Sequence, residues 1–227
     1  MKDHCGGLFV VCGIDGSGKT LQSQRLCERL KKGGHQVRYV EFPRYEDGFF
    51  GDLIGKYLRG EMVGNAADVS PYLASLPFAC DRWELSPRLW EWVDKGCHVV
   101  CNRYVTANMA HQGGKIDDGA EREKFFSWVE KMEYEIFAIP RPKVHIWLDI
   151  EPEDALNLVT RKGERAYLKG GEDIHENLVH LQAAREAYAE ISSRTSNWVT
   201  VKCSTGVGPL SPGDVEKAVW EQVVRFL

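Results

Sequence analysis

The chain has no surplus of basic residues. Its 227 residues carry 29 Lys and Arg against 33 Asp and Glu, a formal net charge of -4. A protein that neutralises many phosphates along a nucleic acid needs the opposite balance, so a nucleic-acid-binding module is disfavoured. Any cation that matters must act locally, in a site. No C-x-x-C spacing occurs among the seven cysteines (Cys5, Cys12, Cys27, Cys80, Cys97, Cys101 and Cys203), which argues against a zinc or dithiol centre. Several lie in apolar runs, Val11-Cys12 and Val99-Val100-Cys101, and read as small buried hydrophobes in a reducing compartment. No apolar run reaches the ~18 residues of a membrane span. Met1-Lys2-Asp3-His4 enters a strand-like run by Leu8, which leaves no room for a signal peptide, so the expected location is the cytoplasm. Internal repeats and low-complexity linkers are also missing. The length suits one core, and the composition is that of an ordinary globular protein, so residues 1–227 read as a single domain.

What is present is an alternation of β-rich apolar runs with helical stretches. The strand candidates are Leu8–Gly13, Gln36–Phe42, Cys97–Asn102, Val144–Ile150 and Trp198–Cys203. They are short, rich in Val and Ile, and mostly apolar on both faces. That pattern fits parallel strands covered by helices on both sides, and the intervening segments are long enough for crossover helices. Pro71, Pro87 and Pro152 sit where helices can begin. The fold class is therefore α/β, a doubly wound five-stranded parallel sheet. Ligands in such sheets bind beyond the carboxyl ends of the strands.

The first strand ends in Gly13-Ile14-Asp15-Gly16-Ser17-Gly18-Lys19-Thr20, which is G-x-x-x-x-G-K-[ST] between a strand and a helix that runs from Lys19 to about Lys32. The glycines let backbone N–H groups turn toward phosphate oxygens, and the helix aims its N-terminus at the same anion. Lys19 supplies a cation for β- and γ-phosphates, and Thr20 a hydroxyl for Mg²⁺. A GTPase switch would add N-K-x-D for guanine, and none exists. Asp52-Leu53-Ile54-Gly55 matches D-x-x-G but lies in a helical pattern.

Four further segments follow. Phe42-Pro43-Arg44-Tyr45 ends the second strand, either as an aromatic and cationic lining of the carboxyl edge or as a loop with a packed Phe. Phe78 and Arg82 are i and i+4 on one helix face, suited to stacking and forked hydrogen bonding, or else to a core ring beside a surface ion pair with Asp81. Arg103 follows the third strand at an anion position, and Asn108 and Gln112 share a helix face. Two amides there can read the carbonyl and N–H edge of a pyrimidine, or simply form a polar surface. Last comes a glycine-flanked basic segment, about 161–173, suited to a mobile lid over a phosphoryl group.

Taken in order, these pieces resemble the thymidylate kinase family of nucleoside-monophosphate kinases, from about Leu8 to near Ser193. The resemblance implies transfer of the γ-phosphoryl of ATP to dTMP with Mg²⁺, in a protein that is generally a homodimer. It implies nucleotide binding by Gly13, Asp15, Gly16, Ser17, Gly18, Lys19 and Thr20, with Arg161 near adenine and Thr20 on the metal. It implies that Asp15 contacts the sugar 3′-hydroxyl, Phe78 stacks on thymine, and Arg82 serves base edge and phosphate. Phe42, Pro43, Arg44 and Tyr45 would line the acceptor pocket, Asn108 and Gln112 would read the base, and Asp173 and Glu176 would close the lid. Lys19, Arg103 and Arg165 would be catalytic. Relatives can carry arginine where this chain has Gly16, and those without it place the arginine in the lid, hence Arg165. Two departures stand out. Asn102 replaces the usual Asp before Arg-Tyr, and His111 stands where relatives often carry a tyrosine near the sugar 2′ position. The rival readings are a kinase of the same build acting on dUMP or a deoxynucleoside, and a regulatory ATPase. Tyr57 and Trp90-Glu91-Trp92 are interface or core.

Overall fold

The apolar runs become strands because each is β-branched or aromatic and long enough for one sheet layer. The computed structural model describes residues 6–62, 69–162 and 178–227, with backbone alone for 160–162. In chain order the elements are β1 (Leu8–Cys12), α1 (Lys19–Lys32), β2 (Val37–Glu41), α2 (Phe49–Leu58), α3 (Pro71–Asp94), β3 (His98–Asn102) and α4 (Val105–Gly113). Then come α5 (Gly119–Glu130), a π-helical turn (Lys131–Ile136), β4 (Val144–Asp149), α6 (Pro152–Lys162), α7 (Leu178–Ser192) and β5 (Trp198–Lys202). A short hairpin of β6 (Ser204–Thr205) and β7 (Gly208–Pro209) and helix α8 (Pro212–Val223) complete the described fold.

The five long strands form one parallel sheet in the order β2-β3-β1-β4-β5. The chain moves one way from β1 to β2 and the other way from β2 through β3 and β4 to β5. Right-handed crossovers therefore put α1 on one face and α3, α4 and α7 on the other. The packing follows: α1 lies on α8, and α4 lies on α3, α5 and α7. The three central strands are buried at every position, whereas the edge strands β2 and β5 alternate buried and exposed residues. The expectation of strands apolar on both faces thus applies to the centre of the sheet only, because an edge strand has one side open to water.

Pro71 and Pro152 open α3 and α6, but Pro87 lies inside α3, as does Pro77. Proline at 87 removes the N–H that would reach the Trp83 carbonyl, and the Ser86 hydroxyl donates to that oxygen instead at 2.8 Å. Burial of Leu85, Leu89 and Val93 on the main core holds the helix through this position. A second, smaller core of Ile54, Tyr57, Leu58 and Ala74 joins α2 to α3, with Tyr45 and Phe78 packed against it. Tyr57 is therefore core. Asp52-Leu53-Ile54-Gly55 is helical, within α2. The cysteines at 12, 27, 97, 101 and 203 are buried free thiols and Cys80 is a half-buried one. Burial pushes the thiols of Cys12 and Cys203 up to about 12, so they stay protonated and inert. Among the described residues no helix is long and apolar enough to cross a membrane. Of the segment read as a lid, α6 reaches Lys162, and 163–173 lies outside the described residues.

Candidate active site

The turn after β1 requires glycine. Gly13, Gly16 and Gly18 all have positive φ, and a Cβ on Gly16 would lie 2.2 Å from the Ala155 carbonyl oxygen of α6. No side chain fits at 16 without moving α6, so an arginine there is sterically barred. Gly18 caps α1 without a side-chain hydrogen bond, and a Cβ on it would meet nothing within 4 Å. Among the described residues the N-cap of α1 thus makes no side-chain cap hydrogen bond, which leaves its first N–H groups for an anion. The Ser17 hydroxyl beside them is buried without a partner among the described residues. The Lys19 ammonium lies over the loop, 2.6 Å from the Ile14 carbonyl and 3.4 Å from Asp15 Oδ1.

A cavity opens next to this loop. It is lined by Asp15, Phe42, Pro43, Tyr45 and Leu58, by Phe78, Asp81 and Arg82 of α3, and by Arg103, Ala107, Asn108, His111 and Gln112 around α4. Its walls come from five segments, the loops after β1 and β2, α2, α3, and the end of β3 with α4, brought together at the carboxyl edge of β1, β2 and β3. Phe42 is buried against Tyr104, with ring centroids 5.8 Å apart, and is joined to Pro43 by a cis peptide bond. Arg44 does not line the cavity. Its guanidinium and backbone N–H grip Asp81, at 2.9 and 3.0 Å, and it also pairs with Glu84. It braces the loop after β2 to α3, and it takes the partner that the sequence had offered to Arg82.

Arg82 is instead fully buried and donates two hydrogen bonds to Glu133, at 2.5 and 2.7 Å. Glu133 has no exposure at all, and Asn108 Nδ2 donates to it at 3.3 Å and to the Ser75 carbonyl at 3.1 Å. Sequence reasoning missed Glu133. It sits in the π-helical turn after α5, and no motif marks it; the weak signal is a carboxylate amid an apolar, aromatic stretch. With Nδ2 committed, Asn108 presents its oxygen. Asn108 Oδ1 and Gln112 Oε1 are both buried without a partner among the described residues. The cavity thus has two unsatisfied amide acceptors in its wall, which can receive N–H groups of a ligand.

Arg103 joins the loop and the cavity. It adopts a left-handed backbone (φ 65), costing about 1–3 kcal/mol for a residue with a Cβ, and such strain clusters at functional sites. Its guanidinium pairs with Asp15 and donates to His111 Nε2 at 2.9 Å. Arginine can only donate, so His111 carries its proton on Nδ1, which faces His180 Nε2 of α7 at 3.1 Å. The two imidazoles stack at 5.3 Å. His180 was also missed by sequence reasoning, because it lies beyond the basic segment with no motif around it. On the other side of the loop, Asn102 Nδ2 donates to Thr20 Oγ1 at 3.0 Å and to Glu41 Oε1 at 2.8 Å. Among the described residues no cluster of three or more His, Cys, Asp or Glu side chains is disposed to hold a metal. A divalent cation here would be a partner of bound phosphates, with the Thr20 hydroxyl and the buried Asn102 Oδ1, which has no partner among the described residues, as neighbouring oxygens.

The loop and cavity fall within a region matched by a family model. That model, described as Thymidylate kinase, matches residues 11–209. The chain belongs to the thymidylate kinase family. Human thymidylate kinase is 27% identical over 209 residues, covering 91% of this chain and 87% of the relative. A probable thymidylate kinase of Methanothermobacter thermautotrophicus is 33% identical over 196 residues, covering 86% and 85%. The solved structure of the Candida albicans thymidylate kinase has a TM-score of 0.74 with this chain at 21% identity, over 97% of this chain and 92% of the other, a likeness of fold. Family membership carries ATP-dependent phosphotransfer as the activity class. Against the resemblance given above, the described structure brings Asp15, Phe42, Pro43, Tyr45, Phe78, Arg82, Arg103, Asn108, His111 and Gln112 to one cavity, and leaves Arg44 out of its lining. The side chain of Arg161, and Arg165, Asp173 and Glu176, lie outside the described residues.

Proposed function

We propose that this member of the thymidylate kinase family transfers the γ-phosphoryl of ATP to dTMP, giving dTDP and ADP in dTTP synthesis. One observation carries the reading: the glycine-rich loop after β1 and the neighbouring cavity share Asp15, and Arg103 ties them together at one sheet edge. A regulatory ATPase has no use for the second compartment.

In this mechanism ATP phosphates lie on the N–H groups of 13–20, with Lys19 on the β- and γ-phosphates. The dTMP base stacks on Phe78, and its N3–H is received by Asn108 Oδ1 or Gln112 Oε1, the two unsatisfied acceptors of the wall. Thymine and uracil carry that N–H and cytosine does not, so dCMP is a poor acceptor. Asp15 accepts from the sugar 3′-hydroxyl, His111 crowds the 2′ position, and Arg103 holds the acceptor phosphate. A phosphate monoester has a second pKa of about 6, so the attacking oxygen is already ionised at neutral pH and no general base is needed. Catalysis then rests on positioning and charge neutralisation by Lys19, Arg103 and a lid arginine. The steric bar at Gly16 favours the lid as the source of that arginine, which we assign to Arg165, with Arg161 near adenine and Asp173 and Glu176 closing the lid. When bound, Mg²⁺ would neutralise charge on the β- and γ-phosphates beside the Thr20 hydroxyl. The proposed assembly is a homodimer and the proposed location the cytoplasm.

ADP release is to be followed with dTMP, dUMP, dCMP, UMP and thymidine as separate acceptors. Fast turnover with dTMP, slower with dUMP and little with dCMP or UMP is expected, and turnover independent of any acceptor would reject the kinase reading. Arg165→Ala is expected to lower kcat by about 10³-fold or more with little change in KM for dTMP. A near-normal kcat would remove Arg165 from the mechanism.

A further inference from the structure

The replacement of the expected carboxylate by Asn102 changes the chemistry of that strand end, from acceptor to donor. Asn102 is 2% exposed, and its amide nitrogen bridges Thr20 Oγ1 and Glu41 Oε1, both within 3.0 Å of it. Glu41 is the register partner of Asn102 on the neighbouring parallel strand, so its Cα stands beside the missing carboxylate at the same carboxyl edge. The other oxygen, Glu41 Oε2, accepts from the Tyr39 hydroxyl at 2.7 Å. Burial and the Glu41 carboxylate both push the Tyr39 phenol up, which keeps it a donor. Glu41 is therefore held in place from both ends. Yet its hydrogen-bond partners among the described residues, Tyr39 and Asn102, are uncharged. An anion oriented by two neutral donors, next to the hydroxyl of the P-loop threonine, keeps its charge available, since each carboxylate oxygen has a second lone pair.

We propose that Glu41 supplies the anionic group of the divalent-cation site in this chain, with Asn102 as the arm that fixes its carboxylate relative to Thr20. Mg²⁺ demands oxygen ligands at about 2.0–2.1 Å and retains several waters, so a carboxylate one water layer from the ion is a suitable partner. Two observations point to a ligand here: the oriented carboxylate, and the buried Asn102 Oδ1 that has no partner among the described residues. The charge that the resemblance assigns to residue 102 is thus relocated one strand over.

The inference rests on the nucleotide site proposed above and not on the identity of the acceptor. Its test is the binding of ADP to the full chain, by calorimetry without metal, and of Mn²⁺ to the ADP complex, by electron paramagnetic resonance. Glu41→Gln keeps an oxygen for Asn102 and removes the charge. It is expected to weaken Mn²⁺ binding by about 10-fold or more while metal-free ADP affinity changes less than about 2-fold, the usual size of an outer-shell loss. Adding Asn102→Asp to Glu41→Gln is expected to restore most of the Mn²⁺ affinity, because the charge returns to the neighbouring strand. Unchanged Mn²⁺ binding in Glu41→Gln would overturn the proposal. So would a loss matched by equal loss of metal-free ADP affinity or by a lowered Tm, since either would make Glu41 a structural residue. Failure of the parent chain to bind ADP without metal would instead overturn the nucleotide site itself.

Discussion

His145 illustrates how a single side chain sets a property of the whole chain. It lies on β4 with 5% exposure, stacked on Trp198 at 4.6 Å, and its Nδ1 has no partner among the described residues. Burial alone pushes its imidazole down to about 3. In the unfolded chain the ring titrates near its ordinary value of about 6.5. Between those values the unfolded state takes up a proton that the folded state refuses, so stability present above about pH 6.5 is lost as pH falls toward 3. The slope approaches about 1.4 kcal/mol per pH unit once the unfolded ring is fully protonated. His145→Phe, which keeps an aromatic ring against Trp198, removes this term and leaves every carboxylate unchanged. Its Tm is expected to fall less steeply than the parent's between about pH 6.5 and 5; parallel curves would show that His145 is protonated in the fold. The same scale explains which site residues were legible. Gly13, Gly16 and Gly18 are dictated by backbone conformation, so the glycine spacing announces them. Phe42 and Arg103 stand at strand ends, where an α/β sheet puts its ligands. Glu41 and His180 act through neighbours from other segments, and the sequence around them carries no mark of that.

Elements meet at the Arg82–Glu133 pair, which fastens α3 to the π-helical turn after α5. Both side chains are out of water, so each carries a desolvation cost that only the other offsets. Removing one partner strands a buried charge. Arg82→Met or Glu133→Gln is therefore expected to cost about 3–5 kcal/mol, while replacing both by apolar residues of similar volume recovers most of that loss. Denaturant unfolding of the two singles and the double checks this, and additive losses would mean that the pair is not coupled. Because Asn108 also leans on Glu133, the stable double variant is expected to show a raised KM for dTMP with an unchanged KM for ATP. The sequence marks Arg82 through its i, i+4 relation to Phe78, and it lines the cavity, but the ion pair with Asp81 that stood as the alternative is not formed. Asp81 is adjacent in sequence yet points to Arg44, and the true partner is 51 residues away in a turn whose register departs from the α-helical repeat. Pro87 was misread for a related reason. Local propensity favours a helix start there, whereas the burial of Leu85, Leu89 and Val93 and the Ser86 hydroxyl carry the helix through.

At the scale of the molecule the parallel α/β class and the five strands were legible because the central strands, buried on both faces, leave a strong apolar signature, whereas the strand order came only from the structure. The outer surface of α3 is less easily read. Leu73, Leu76, Cys80, Trp83, Pro87 and Trp90 recur at alternating steps of three and four, the spacing of a helix–helix seam. Leu73 is 63% exposed, Trp83 49% and Leu76 38%, while Asp81, Arg82, Leu85 and Leu89 on the same helix are buried in the protein. Trp90 belongs to this stripe and Trp92 packs on the main core, so the two tryptophans of that segment divide between surface and interior. An apolar stripe nearly five turns long on one helix suits a twofold pairing of α3 with its copy, in which each residue meets its counterpart. Sedimentation velocity at micromolar concentration is expected to give twice the chain mass, and Leu76→Lys with Trp83→Lys to give the single mass while the fold persists. A monomeric parent would dispose of the pairing. If it holds, the functional consequence follows from the other face of the same helix. Phe78 and Arg82 are positioned by α3, so loosening its outer support is expected to raise KM for dTMP before it disturbs ATP binding at α1. Equal effects on both substrates would instead mean that the pairing serves stability alone.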